Sequence, residues 1–156
     1  MQPRLTPRQT NDDGLWFHSP AKPPEQLNPV VLAYIGDAVY ELLVRQYLIS
    51  HPNHKLHHLH RQATLRVSAK AQCAILQRLQ PMLTEEEADI VRRGRNAKSG
   101  APPKNADVHE YRQATAFECL IGYLYYTKRS DRLVQLLQTA LEAMPATPAK
   151  EREDAT

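Results

Sequence analysis

The chain has 156 residues, 42% of them hydrophobic and 24% charged, with a formal net charge of +3. That length suits one domain, the balance excludes wholesale disorder, and no apolar stretch approaches the roughly 20 residues that span a bilayer. The start, MQPRLTPRQTNDDG, lacks a secretory h-region, so a cytoplasmic protein is expected, and the mild positive charge permits a polyanionic partner without requiring one.

Residues 1–26 carry Pro3, Pro7, Pro20, Pro23 and Pro24 among polar residues, which predicts a flexible or loosely docked arm with Trp16-Phe17 as its apolar clip. From Leu27 the character changes: Asn28 is an N-cap, Pro29 takes the first helical position and apolar residues run to Leu48, predicting a long, largely buried helix. After the break at HPNHK, the spacing of Leu59, Ala63, Val67, Ala71, Ala74 and Ile75 predicts a single second helix that ends at Pro81. Thr84 and Glu87 form a capping box for a third helix, LTEEEADIVRRGRN, whose acidic first turn and basic last turn suit its dipole and which frays at Gly94. NAKSGAPPKNADV, with Gly100, Pro102 and Pro103, reads as a long internal loop of the functional or mobile kind. HEYRQATAFECLIGYLYYTK and SDRLVQLLQTALEAM predict two more amphipathic helices, the second capped by Ser130 or Asp131.

No alternating strand pattern, repeat or Gly-rich phosphate loop interrupts this series, so the fold class is all-α. The expected organisation is an arm over 1–26, a helical bundle over 27–144 and a disordered polar tail over 145–156. Cys73 and Cys119 stand apart from each other and from any ligand set, and read as reduced thiols inside helices.

Asp37 interrupts VVLAYIGDAVYELLV, a helix otherwise apolar nearly all round, and Glu118 repeats the situation in TAFECLIGYL. A buried, unpaired carboxylate is costly, so each must be neutralised, paired or metal-bound. No Arg or Lys lies within a helical turn of either, while Glu41, one turn after Asp37, adds negative charge. A hard cation such as Mg²⁺ satisfies such a cluster through oxygen ligands and waters; the plainer alternative is that each acid reaches solvent at a helix edge or pairs with a distant arginine. Gly36 and Gly122, each costing about 1 kcal/mol inside a helix, indicate close helix–helix or backbone–metal approach, packing being the simpler reason.

Arg92, Arg93, Arg95, Lys98 and Lys104 fall in RRGRNAKSGAPPK with no acid between Arg92 and Asn105. With Asn96 they offer the donors that phosphate backbones take, although most short basic clusters are plain solvated surface. Joined to a metal-type acid pair, they suit phosphodiester cleavage, which needs an activated water and charge stabilisation. The histidines between His51 and His60 invite a transition-metal reading, but no H-E-x-x-H or nearby cysteine supports it. Tyr123, Tyr125 and Tyr126 read as packing residues, and no G-x-S-x-G elbow supports Ser-His-Asp chemistry.

At YIGDAVYELLV, RRGRNAKS and YRQATAFECLIGYL the chain resembles the catalytic domain of the ribonuclease III family, in its short bacterial form, from about Leu27 to Leu141. Gly36-Asp37-Ala38 and Glu118-x-Leu120-Ile121-Gly122 match the two acidic motifs, and RGRNAKS is typical of the short form. The resemblance implies a ribonuclease III endonuclease-domain helical bundle, a homodimer, dependence on Mg²⁺ or Mn²⁺, and hydrolysis of double-stranded RNA to 5′-phosphate and 3′-hydroxyl ends. It further implies 23S ribosomal RNA precursor as substrate, with or without an assisting ribosomal protein. Asp37 and Glu118 are implied as the catalytic, metal-positioning acids and Tyr34 as a dimer contact.

The full-length pattern E-x-x-E-x-x-G-D has Val30 and Ala33 in place of its glutamates, and D-x-x-E has Thr115 in place of its aspartate. Waters, Thr115 or a backbone carbonyl would complete the metal shell, and these departures look normal for the short form. About fifteen polar residues follow Leu141, so the double-stranded-RNA-binding module of full-length ribonuclease III is not expected. The grip then falls to Arg92, Arg93, Arg95, Asn96, Lys98 and Lys104, reading phosphates, 2′-hydroxyls and shape. The alternative is a non-catalytic RNA-binding or ribosome-assembly factor, against which the two retained acids speak; a helical adaptor would leave the arginine-rich loop unexplained.

Overall fold

The computed structural model describes residues 16–98, 100–142 and 144; most of the predicted arm and the tail lie outside the described residues. The helices are α1 Pro29–Ile49, α2 Leu56–Val67, α3 Ala69–Leu79, α4 Glu85–Arg95, α5 Val108–Tyr126 and α6 Ser130–Glu142, with short 3-10 turns at Pro24–Gln26 and Gln80–Met82 and no strand among the described residues. The all-α class is thus the observed one.

Local chemistry sets the helix starts. The Asn28 side chain accepts the Val30 N–H at 2.9 Å ahead of Pro29, and both arms of the Thr84–Glu87 capping box are formed. Asp107 caps α5 by accepting the Glu110 N–H at 2.9 Å. The expected single helix through Pro81 is instead two. Ser68 takes an extended backbone, ends α2, and caps α3 by accepting the Ala71 N–H at 3.2 Å. Both helices show apolar residues to the same core, so the spacing runs on through the break.

Helix α5 is the central element, packed against α1, α3, α4 and α6. Tyr40 and Phe117 meet edge-to-face at its middle, with centroids 4.9 Å apart, among Ile75, Leu76, Leu120 and Leu136. The Tyr40 hydroxyl donates to the Arg66 carbonyl at 2.8 Å and ties α1 to α2. At the other end, Glu87 pairs with Arg132 at 2.8 Å and Glu86 with Arg129 at 2.9 Å; Glu86 also accepts from the Tyr123 hydroxyl. These contacts lock the start of α4 to α5 and α6.

Three further expectations change. Gly94 does not fray α4: it is buried one residue before the helix ends, and an added Cβ would stand 2.8 Å from Cys119 Cβ. The apolar clip is Trp16 alone, stacked on Tyr125 at 5.4 Å, while Phe17 is 87% exposed. Helix α1 is not largely buried, because Val31, Tyr34, Leu42 and Ile49 leave its outer face apolar and bare. Cys73 and Cys119 are free and buried.

Candidate active site

Helices α1 and α5 cross in backbone contact. A Cβ on Gly36 would lie 1.7 Å from the Glu118 carbonyl oxygen, and one on Gly122 would lie 2.0 Å from that of Leu32. The two glycines therefore serve packing, each accommodating the other helix's backbone. The same crossing brings Asp37, next to Gly36, into electrostatic contact with Glu118.

The acids differ in environment. Asp37 is exposed and Glu118 half-buried, so the all-round apolar pattern around Asp37 misstates its surroundings: it came from two apolar faces, one of them facing solvent. Partial burial and Glu41 raise the Asp37 pKa. Burial, followed by the Asp37 charge, pushes Glu118 up to about 7, against a hydrogen bond from Gln72. Glu41 does not join the pair as a third ligand but bonds to Arg45 at 3.2 Å, and among the described residues no three His, Cys, Asp or Glu side chains converge. The Thr115 hydroxyl donates to the Tyr111 carbonyl at 3.0 Å.

Gln72 is the residue that sequence reasoning missed. It is 1% exposed, donates to the Val67 carbonyl at 3.2 Å, and has a buried Oε1 without a partner. Its signal in the sequence is a lone amide among Ala71, Cys73, Ala74 and Ile75.

The basic residues are divided by the fold. Arg92 pairs with Asp89 one turn earlier, and Arg93 donates to the Glu25 carbonyl at 3.4 Å. Arg95, Asn96 and Lys98 line one cleft with Arg112 and Tyr111 of α5, whereas Lys104 is exposed outside it. His51 and His54 bond to the Tyr47 and Ile49 carbonyls, each at 2.8 Å, finishing α1 rather than gathering around an ion. Tyr123 is a buried packing residue, and Tyr34 stands out of α1 at 83% exposure.

Known proteins resemble this chain in sequence and in fold. The ribonuclease III domain family matches residues 30–129. A Brevibacillus brevis protein named Mini-ribonuclease 3 is 51% identical over 117 residues, covering 75% of this chain and 87% of the relative. A Mini-ribonuclease 3 of Enterococcus faecalis is 48% identical over 128 residues, covering 81% and 97%. A crystal structure of a Fusobacterium nucleatum protein matches with a TM-score of 0.71 at 28% identity, covering 79% of this chain and 100% of that one.

Proposed function

Because the chain belongs to the ribonuclease III family and is an endoribonuclease, we propose that it cuts double-stranded RNA as a metal-dependent homodimer, with Asp37 and Glu118 as its catalytic acids. The observation that carries this reading is the α1–α5 crossing, where two reciprocal glycines bring one solvated and one half-buried carboxylate within electrostatic reach of each other.

Ribonuclease III enzymes depend on a divalent ion, and the donor set here fits a small, hard one. Two carboxylates, with no third ionisable ligand and no converging nitrogen or sulfur among the described residues, suit Mg²⁺, which keeps several waters. The unpartnered Gln72 Oε1 offers an acceptor for such a water. Asp37 and Glu118 would hold Mg²⁺, or Mn²⁺ in its place, which would supply an activated water and offset charge on the phosphate.

The chain's own residues do the rest. Gln72 orients the Glu118 carboxylate, which must lose its proton before it can act as a ligand. Water oxygen bonds to phosphorus, the bond from phosphorus to the 3′-oxygen breaks, and that oxygen takes up a proton, leaving 5′-phosphate and 3′-hydroxyl ends. Arg95, Asn96 and Lys98 hold the RNA backbone from their shared cleft, with Arg92, Arg93 and Lys104 as further phosphate contacts outside it.

The bare stripe of Val31, Tyr34 and Leu42 on α1 supplies the dimer surface, and a twofold axis gives each strand of a duplex one active site. We assign the enzyme to 23S ribosomal RNA maturation in the cytoplasm, with or without an assisting ribosomal protein. Incubation with a 23S precursor stem and Mg²⁺ tests the assignment: the expected products are discrete fragments whose 5′ ends ligate without prior phosphorylation. Fragments with 5′-hydroxyl ends, or an uncut stem beside other duplexes that are cut, would refute the end chemistry or the substrate respectively.

A further inference from the structure

The end of α4, the following loop and the start of α5 enclose a cleft of about 490 Å³ lined by Arg95, Asn96, Lys98, Pro102, Tyr111 and Arg112, among others. No carboxylate lines it, and Arg95, Lys98 and Arg112 have no acidic partner among the described residues, unlike Arg92. Arg112 lies outside the basic run in sequence, eight residues past Lys104, and the fold brings it to the same cleft. Three uncompensated cations make the cleft a site for an anion.

The remaining walls narrow the class of anion. Tyr111 supplies an aromatic ring, with Pro102 and Val108 beside it. A base-paired A-form strand offers side chains its phosphates and 2′-hydroxyls while its bases stay stacked inside, so an aromatic and apolar wall gains contact only with a base that has left the stack. Asn96 can donate to and accept from the edge of such a base.

Position links the cleft to the chemistry. Tyr111 and Glu118 are seven residues apart on α5, which puts them on one face, about 10 Å apart along the axis. A strand held at the acids is then within about 10 Å of a cleft-lining residue, roughly one to two nucleotides of backbone. We propose that this cleft takes one unpaired nucleotide of the substrate, bulged or frayed beside the cut, with its phosphate among Arg95, Lys98 and Arg112 and its base against Tyr111. The inference rests on the RNA-cleaving reading above and adds a structural feature that the enzyme selects.

The test compares kcat/KM on two RNAs of the same sequence, one fully paired and one with a single unpaired nucleotide moved stepwise relative to the cut. The wild type is expected to favour the unpaired form at one register by at least about fivefold, the lower end of what one base–aromatic stack contributes. Tyr111→Phe keeps the preference, and Tyr111→Ala brings the ratio close to one. Arg112→Ala lowers the salt slope of binding to the unpaired form by about 1. Should Tyr111→Ala fail to fold, 2-aminopurine at the unpaired position replaces it as the probe: its fluorescence is expected to be quenched by the wild type and less so by Arg112→Ala, and unquenched fluorescence would count against the stack. Equal cutting at every register by the wild type, or a preference that survives in Tyr111→Ala, would overturn the inference while leaving the nuclease intact. Absence of metal-dependent cutting of either RNA would remove its premise as well.

Discussion

Glu118 carries a proton near neutrality because burial and the adjacent Asp37 both oppose its charge, which places its pKa at about 7. Stability and activity respond to that proton in opposite directions. The folded pKa lies above the ordinary value of 4.5, so the stability this group contributes is fully present below that value and lost as pH rises through 7. Glu118→Gln should therefore leave the metal-free protein unchanged at pH 4 but stabilise it at pH 8 by on the order of 1–3 kcal/mol, read from urea unfolding in EDTA. The activity goes the other way: ligand binding needs the carboxylate, so cleavage at subsaturating Mg²⁺ should rise between about pH 6 and 8. Among the cations, Arg92 is already engaged by Asp89. An Arg95→Ala, Lys98→Ala pair should accordingly lower the salt slope of duplex binding by about 2, and Arg92→Ala by less than 1. At this scale the sequence identified acids and bases by type and spacing, but not their surroundings. Asp37 reaches water and Gln72 supports Glu118 because of neighbours on other helices, which no local window contains.

Helices α1 and α5 depend on glycine where they cross, and the geometry leaves no room for a methyl group. In Gly36→Ala the new carbon would stand 1.7 Å from the Glu118 carbonyl oxygen, on rigid backbone rather than a flexible side chain. The helices must then move apart, at an expected cost of about 3 kcal/mol, and Asp37 moves away from Glu118. Thermal unfolding should show the loss, and a higher Mg²⁺ concentration should be needed for half-maximal cutting in whatever protein still folds. Caps explain why the starts of α1 and α4 were legible: Asn28 and Thr84 act within a few residues of themselves. The break at Ser68 was hidden because α2 and α3 share a core-facing period. Gly94 was misread for a related reason, since only the approach of Cys119 from α5 distinguishes a packing glycine from a fraying one.

The whole molecule has an apolar outer face that a single copy leaves open, with Tyr34 at 83% and Leu42 at 54% exposure along α1. A run of apolar residues on one helix looks the same whether it faces a core or a partner, which is why α1 reads as buried in the sequence. The proposed homodimer accounts for the stripe. Tyr34→Asp should sediment as a monomer and lose coupled cutting of the two strands, whereas an unchanged dimer would place the interface elsewhere. The acid pair is tested most directly by cleavage of a long RNA duplex with Mg²⁺, beside EDTA and beside Asp37→Asn, which keeps the size of the side chain while removing its charge. Metal-dependent cuts that disappear in Asp37→Asn, with duplex binding retained, are the expected result. Full-rate cutting by Asp37→Asn, or by the wild type in EDTA, would contradict a catalytic role for the pair.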